Sequence, residues 1–123
     1  MALDILEADF LGDLSSDTHG VWEIFESVRL HYPGAADAEV FKIGEEYFSS
    51  WSERGWIEVA AKPLYPSQVK NLAEVASFFH QHGVASTRYC DGAPSLDITD
   101  AGRHMLKEAP NQSSQPTPLK RRG

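Results

Sequence analysis

The stretch from Phe48 to Ala60, FSSWSERGWIEVA, constrains the fold most, because the spacing of its apolar residues changes abruptly. Up to Arg54, apolar residues recur every three or four positions, as they do on one face of a helix. Gly55 can adopt the left-handed conformation that ends many helices. From Trp56 onward, β-favouring residues alternate with others. The sequence therefore predicts a helix to about Arg54, a cap at Gly55 and a strand from Trp56.

Three helices are predicted before that strand. The first lies in residues 1–11, with Leu3, Leu6 and Phe10 on one side. The second follows a cap at residue 16, 17 or 18 and ends at the Tyr-Pro-Gly break of residues 32–34, since the residue before a proline disfavours helical geometry. The third begins at Asp37, and its apolar face comprises Val40, Phe41, Gly44, Tyr47, Phe48 and Trp51.

The second half of the chain predicts a smaller set of elements. An inserted helix starts at Ser67 and stops at Gly83, and a strand follows over residues 84–89. A turn at residues 91–94 leads to a strand containing Leu96 and Ile98, and Thr99 caps a short last helix. The fold class is thus α+β, with three N-terminal helices, a small antiparallel sheet, one inserted helix and a short C-terminal helix. Residues 1–109 form the domain, and the Pro-, Ser- and Gln-rich residues 110–123 are predicted to be disordered.

Several motifs resemble the winged helix-turn-helix fold. Residues 52–57, SERGWI, are similar to the helix-to-wing junction of that family, and residues 96–102, LDITDAG, are similar to its returning strand. GVWEI at 20–24, HYPG at 31–34 and the Thr-x-x-Gly ending also resemble small uncharacterised bacterial proteins with this fold. The resemblance covers residues 17–59 and 94–107, whereas residues 63–90 have no counterpart in a minimal winged helix. It implies a winged-helix-like domain with an insertion, and DNA-binding transcription regulation as one function.

Charge is distributed unevenly along the chain. Residues 1–59 hold 13 Asp or Glu against 3 Lys or Arg, a net charge of −10, whereas residues 60–109 hold 5 of each. An acidic half repels phosphates and lipid headgroups and attracts basic protein surfaces. No apolar run reaches the roughly 20 residues of a membrane span. The single cysteine and the acidic first residues, where a secretory signal would carry Lys or Arg, favour a cytoplasmic protein.

The acidic residues of the third helix are the leading candidates for a binding site. Opposite potentials speed encounter and select partners, so they favour a basic protein, as with toxin-neutralising (immunity) and nuclease-inhibiting proteins. The alternative for the same acids is a solvated helix face. Trp22, at the edge of an apolar stripe, could belong to the core, the partner site or a homodimer contact. The predicted partner-binding residues are Asp37, Glu39, Glu45, Glu46, Glu53 and Trp22.

DNA binding is the alternative function. A recognition helix needs Lys and Arg near phosphates, but residues 37–54 carry five acids against Lys42 and Arg54, a net charge of −3. A DNA-binding face would have to combine residues from several elements: Lys42, Arg54, Lys62, Arg88 and Arg103.

The sequence contains no recognisable catalytic or metal-binding motif. His80 and His82 are two positions apart, whereas helical zinc sites use a spacing of four. Cys90 precedes Asp91, whose charge raises rather than lowers a thiol pKa. A nucleophile elbow, a phosphate-binding glycine loop and an H-E-x-x-H motif are all missing from the sequence. We therefore expect a non-enzymatic protein without a cofactor or metal.

Overall fold

The computed structural model describes residues 3–108, which form five helices and a three-stranded sheet. The predicted disordered segment, residues 110–123, lies outside the described residues, as do the two ends of the predicted domain, residues 1–2 and 109. In chain order the elements are α1 (Ile5–Ser16), β1 (His19–Gly20), α2 (Trp22–His31), α3 (Asp37–Glu53), β2 (Ile57–Val59), α4 (Leu72–His82), a 3₁₀ helix (Gly83–Thr87), β3 (Ser95–Ile98) and α5 (Asp100–Glu108). The predicted α+β class is confirmed.

The sheet is antiparallel, with β3 between β1 and β2. Ile57 faces Ile98 and Val59 faces Leu96 across the β2–β3 pair, while His19 faces Leu96 across the β1–β3 pair. The small antiparallel sheet expected from the sequence is confirmed, and its pairing of the strand after Gly55 with the strand before Thr99 is given by the structure. Leu96 is fully buried between the two outer strands, so the small sheet is anchored to the core at its centre.

The end of α3 follows the predicted geometry closely. Gly55 has a φ of 73°, the left-handed region that glycine tolerates best. The amide of Trp56 donates to the carbonyl of Trp51 at 3.0 Å, and that of Gly55 donates to Ser52 at 3.1 Å. This pair of hydrogen bonds is the Schellman motif, which satisfies carbonyls at a helix C-terminus. The chain therefore turns from α3 directly into β2.

Buried aromatic rings hold the helices together. Phe25 of α2 packs against Phe79 of α4 with ring centroids 5.4 Å apart, and Phe48 of α3 packs against Phe79 at 5.1 Å. Trp51 of α3 stacks on Phe10 of α1 at 5.3 Å and is fully buried. Each long helix thus contributes a ring to one core, and α3 lies at its centre with only its outer face exposed.

Two predicted helix starts are wrong, and the first helix, predicted within residues 1–11, continues to Ser16. The second helix begins at Trp22 rather than after residues 16–18, because His19 and Gly20 instead pair with β3. No side-chain hydrogen bond caps α2 within residues 3–108; the Glu23 carboxylate instead accepts from the Gly20 amide at 2.8 Å, which ties the first turn of α2 to β1. The inserted helix begins at Leu72 rather than at Ser67, since the Asn71 side chain caps it by accepting from Glu74.

The strand predicted over residues 84–89 is also wrong, because Gly83–Thr87 forms a 3₁₀ helix. The hydroxyls of Ser86 and Thr87 donate to carbonyls three residues back, at 2.7 and 2.8 Å, which favours a helical turn. Arg29 of α2 donates to both the carbonyl and the hydroxyl of Thr87. In addition, β1 and β2 occupy both edges of β3, so a strand here would find no pairing position on it.

The predicted cap of the last helix is confirmed. The Thr99 hydroxyl accepts from the Gly102 amide at 3.1 Å and donates to the Gly55 carbonyl at 2.6 Å. It therefore joins the start of α5 to the end of α3. Within residues 3–108, no helix has both the length and the apolar character required to cross a bilayer.

Candidate functional site

The exposed side of α3 carries four of the predicted partner-binding residues. Val40, Gly44, Phe48 and Trp51 face the core, which leaves the opposite side of the helix to solvent. The four acidic residues on or beside that solvent side are Glu39, Glu45, Glu46 and Glu53, and we refer to them as the acidic α3 face. Its centre also includes Lys42 and Ser49.

The glutamates of the acidic α3 face differ from Asp37 in their ion pairing. Among residues 3–108, no ion pair engages any of its four glutamates. Asp37, which the sequence groups with them, is different: it lies 3.1 Å from Arg29 and 3.8 Å from Arg88. Asp37 therefore pairs with Arg29 of α2 and with the residue after the 3₁₀ helix, unlike the four glutamates.

A groove of about 320 Å³ runs between α3 and α4. Glu45 and Glu53 lie along its α3 side, and Phe48, Leu72 and Ala76 provide apolar surface. The remaining lining residues are Ser49, Ser52 and Ala73. Apolar surface bordered by carboxylates matches an amphipathic basic segment, whose apolar residues would cover the floor while Lys or Arg reach the rim.

A second depression, of about 310 Å³, lies on the other side of α3, where α1 begins. It contains Asp4, Glu7 and Glu46 together with Tyr47. Tyr32, Ile43 and Ser50 complete its lining. Three carboxylates around one depression can accept hydrogen bonds from a guanidinium or ammonium group.

Two of these carboxylates are fixed by the core. The Tyr47 hydroxyl donates to Asp4 at 2.6 Å, and the buried Trp51 Nε1 donates to Glu7 at 2.9 Å. Burial raises the pKa of Tyr47, and hydrogen bonding to Asp4 adds to the rise, so the phenol stays protonated and keeps donating. Asp4 and Glu7 also form the capping box of α1. Neither residue is among the site residues predicted from the sequence, although the Asp-x-x-Glu spacing indicates their capping role.

Trp22 lies outside the acidic α3 face. Its ring contacts Tyr65, with centroids 5.9 Å apart, and Tyr89, with centroids 5.1 Å apart. It is half-buried rather than part of the core interior. The structure therefore assigns Trp22 to a separate aromatic surface, which the sequence could not reveal because its three members come from distant segments.

The basic residues proposed for DNA binding are dispersed. Arg88 lies at the start of α3, near Asp37, whereas Arg54 lies at its end, over the Trp56 ring at 5.0 Å. Arg103 of α5 donates to the Ser15 carbonyl at 2.8 Å. Lys62 is exposed in the segment after β2, and Lys42 is exposed on the acidic α3 face itself. The α3 helix thus presents carboxylates where a recognition helix would present cations.

Residues 3–108 favour neither a metal-binding cluster nor a thiolate. Within residues 3–108, no cluster of three or more His, Cys, Asp or Glu side chains is arranged to hold a metal ion. Burial raises the pKa of the Cys90 thiol, and the neighbouring Asp91 charge adds to this, so the thiolate form is disfavoured.

Comparisons of this chain with models of protein families, with curated proteins and with solved structures find no match. The α+β architecture rests on the structure itself, and the winged-helix relationship stays a prediction.

Proposed function

We propose that this protein is a non-enzymatic binding module that recognises a basic protein partner through the acidic α3 face. The observation that carries the proposal is the set of four glutamates on one helix, none of which has an ion-pair partner within residues 3–108. They are flanked by two depressions that contain further carboxylates or apolar surface. Such a surface attracts cationic proteins over long range and repels polyanions.

The groove between α3 and α4 supplies the short-range part of the recognition. An amphipathic segment of the partner would place apolar side chains on Leu72 and Ala76, and Lys or Arg beside Glu45 and Glu53. Charge pairs at a rim mainly control the association rate and partner choice, whereas buried apolar contacts contribute most of the affinity. The groove combines both kinds of contact, which favours specific binding over general attraction to cations.

The depression beside α1 supplies a second anchoring point. Asp4 and Glu7 are held by Tyr47 and Trp51, so they lose little conformational freedom when a cation binds. An arginine of the partner can hydrogen-bond to two carboxylates at once, because its guanidinium presents several parallel N–H groups. We propose that the partner bridges the two depressions across the acidic α3 face.

A module of this type would neutralise or regulate its partner by covering a cationic surface, as an immunity or inhibitor protein does. We further propose that it acts in the cytoplasm, in line with the single cysteine. Neither a membrane nor a nucleic acid is the proposed target. DNA binding by a winged helix is the alternative function, and the capture experiment must distinguish it from binding to a basic protein.

Affinity capture from a cytoplasmic extract tests the proposal. The bait is the full chain, compared with the variant Glu45→Lys/Glu53→Lys. Lysine at position 53 suits the C-terminal end of α3, where cations are favourable, so this change should not unfold the helix. The matched control is Glu58→Lys, an exposed acid of β2 that faces Asp97 across the sheet.

We expect the wild-type and Glu58→Lys baits to retain a stoichiometric basic protein that Glu45→Lys/Glu53→Lys does not retain. Retention should weaken as ionic strength rises, because rim charges are screened over about 10 Å at 0.1 M salt. A partner retained equally by all three baits would contradict the proposal. Binding to random duplex DNA that weakens steeply with salt would instead support the alternative function.

A further inference from the structure

The three aromatic side chains around Trp22 form a contiguous surface, which we call the aromatic cluster: Trp22, Tyr65 and Tyr89. Ring centroids lie 5.0 Å apart for Tyr65–Tyr89, 5.1 Å for Trp22–Tyr89 and 5.9 Å for Trp22–Tyr65. Although the rings pack on one another, Tyr65 remains 49% exposed and Tyr89 remains 45% exposed. A grouped apolar surface of this kind marks an interaction site more often than single exposed residues do.

The backbone around the aromatic cluster is firmly held. The Leu64 amide donates to the buried Ser95 hydroxyl at 3.0 Å, and the Ser67 hydroxyl donates to the Gly92 carbonyl at 2.8 Å. The Trp22 ring lies directly against Gly20, where a side chain would overlap it. The rings are therefore positioned before any ligand arrives, which lowers the entropic cost of binding.

An exposed carboxylate lies beside the aromatic cluster. Asp91 lies 3.5 Å from the Tyr89 hydroxyl. The surface thus offers aromatic rings for apolar groups, with negative charge next to them for a cation. This combination suits a proline-containing segment that ends in basic residues.

We propose that the aromatic cluster binds residues 115–122 of the same chain. These residues lie outside the described structure and read QPTPLKRR. Pro116, Pro118 and Leu119 supply the apolar groups, and residues 120–122 supply three positive charges. Proline-rich segments bind aromatic surfaces well because their extended helix is preformed and little entropy is lost. The inference is independent of the proposed function, because it requires no second protein.

The length of the connecting chain sets the reach of this segment. Six residues, 109–114, join the end of α5 to residue 115, and an extended chain of that length spans roughly 20 Å. A domain of about 100 residues has a radius of gyration of about 13 Å, so residue 115 can reach points up to about one and a half radii of gyration from the end of α5. A short tether gives an effective concentration of about 1 mM, at which a segment with an affinity of about 0.1 mM is bound about 90% of the time.

The indole N–H signal of Trp22 in NMR spectra of the full chain tests the proposal. The chain has three tryptophans, and the indole signal that disappears in Trp22→Phe is the one that belongs to Trp22. In Pro116→Ala/Pro118→Ala we expect the Trp22 signal to shift and acrylamide quenching of its fluorescence to rise. Trp51 and Trp56 should report no change, since they are 0% and 5% exposed and lie in the core.

Matched variants separate docking from general effects. Asn111→Ala/Gln112→Ala alters the connecting residues without touching the prolines or charges of residues 115–122, and should leave the Trp22 signal in place. On the domain side, Tyr65→Ser/Tyr89→Ser should make Trp22 insensitive to the proline substitutions. Leu30→Ser, which changes a side chain 75% exposed elsewhere on α2, should preserve that sensitivity.

Three results would overturn the proposal. The first is a Trp22 signal that does not respond to Pro116→Ala/Pro118→Ala. The second is a response confined to amides of α3, which would mean that the basic residues rest on the acidic α3 face instead. The third is a response that disappears on dilution, which would mean that the segment binds a neighbouring copy rather than its own domain.

Discussion

Replacing Gly44 with alanine tests how closely α3 packs on α2. A methyl group at this position would overlap the ring of Phe25, which is fully buried. That ring cannot move away, because Phe41 and Phe79 pack against it at 5.9 and 5.4 Å between centroids. Helix propensity alone favours alanine over glycine by about 1 kcal/mol, whereas overpacking a core costs about 1–3 kcal/mol. We expect the steric cost to lie near the upper end of this range and to exceed the gain in helix propensity.

We therefore expect Gly44→Ala to lower the free energy of unfolding by about 2 kcal/mol. At about 4–8 °C per kcal/mol for a domain of this size, the melting temperature should fall by roughly 10 °C. Urea unfolding followed by circular dichroism measures the first quantity, and a thermal scan measures the second.

Gly12→Ala is the matched control. Gly12 lies inside α1, and a methyl group there would meet no atom within 4 Å apart from its immediate helix surroundings. The same substitution should therefore stabilise the protein by about 0.5–1 kcal/mol, the helix-propensity term alone. If Gly44→Ala were as stable as wild type or more so, the close α2–α3 contact that orients the acidic α3 face would be incorrect.

Three further predictions concern groups near the proposed sites. Glu7→Ala should lower the free energy of unfolding, measured by urea titration, by about 2–3 kcal/mol, because it removes a capping box and leaves the buried Trp51 N–H without an acceptor. Glu7→Gln keeps an acceptor and should lower it by less than about 1 kcal/mol. The raised pKa of Tyr47 predicts that the free energy of unfolding falls as pH rises above about 10, because the phenol ionises first in the unfolded chain. Tyr47→Phe should flatten this part of the pH profile, and an unchanged slope would refute the raised pKa of Tyr47. Cys90 should react with iodoacetamide at pH 8 more slowly in the folded protein than in urea, and Asp91→Asn should speed the folded reaction; equal rates would contradict the raised thiol pKa.

Local signals determined how much of the fold the sequence revealed. The change of period at Gly55 predicted the end of α3 and the start of β2 correctly, because both depend on neighbouring residues. The strand expected over residues 84–89 failed, because Arg29, from a distant helix, holds Thr87 in a 3₁₀ turn. Likewise, the start of α2 depended on the pairing of His19 with Leu96, which propensity cannot reveal.

The candidate site, like the fold, could be predicted only where it depends on neighbouring residues. Glu45, Glu46 and Glu53 could be found from sequence because helical spacing keeps them on or beside the outer side of α3. Two features could not be found from sequence, because each brings together residues from three parts of the chain. They are the ion pairs of Asp37 and the packing of Trp22 against Tyr65 and Tyr89. The composition thus predicts the sign of the charge on α3, whereas the ion pairs that each acid forms follow only from the structure.

The affinity of the captured basic partner for Glu45→Lys/Glu53→Lys, measured by titration calorimetry beside wild type and Glu58→Lys, tests the central claim most directly. Reversing two rim charges that the partner contacts should weaken binding at least about tenfold at 0.1 M salt, equivalent to about 1.4 kcal/mol. Glu58→Lys changes the net charge of the protein in the same direction and should bind within about twofold of wild type. Each Glu→Lys change adds two positive charges, so a free-energy loss for Glu58→Lys that is half that of the double variant, or larger, would show that the partner senses only total charge, and would contradict a binding site on the acidic α3 face.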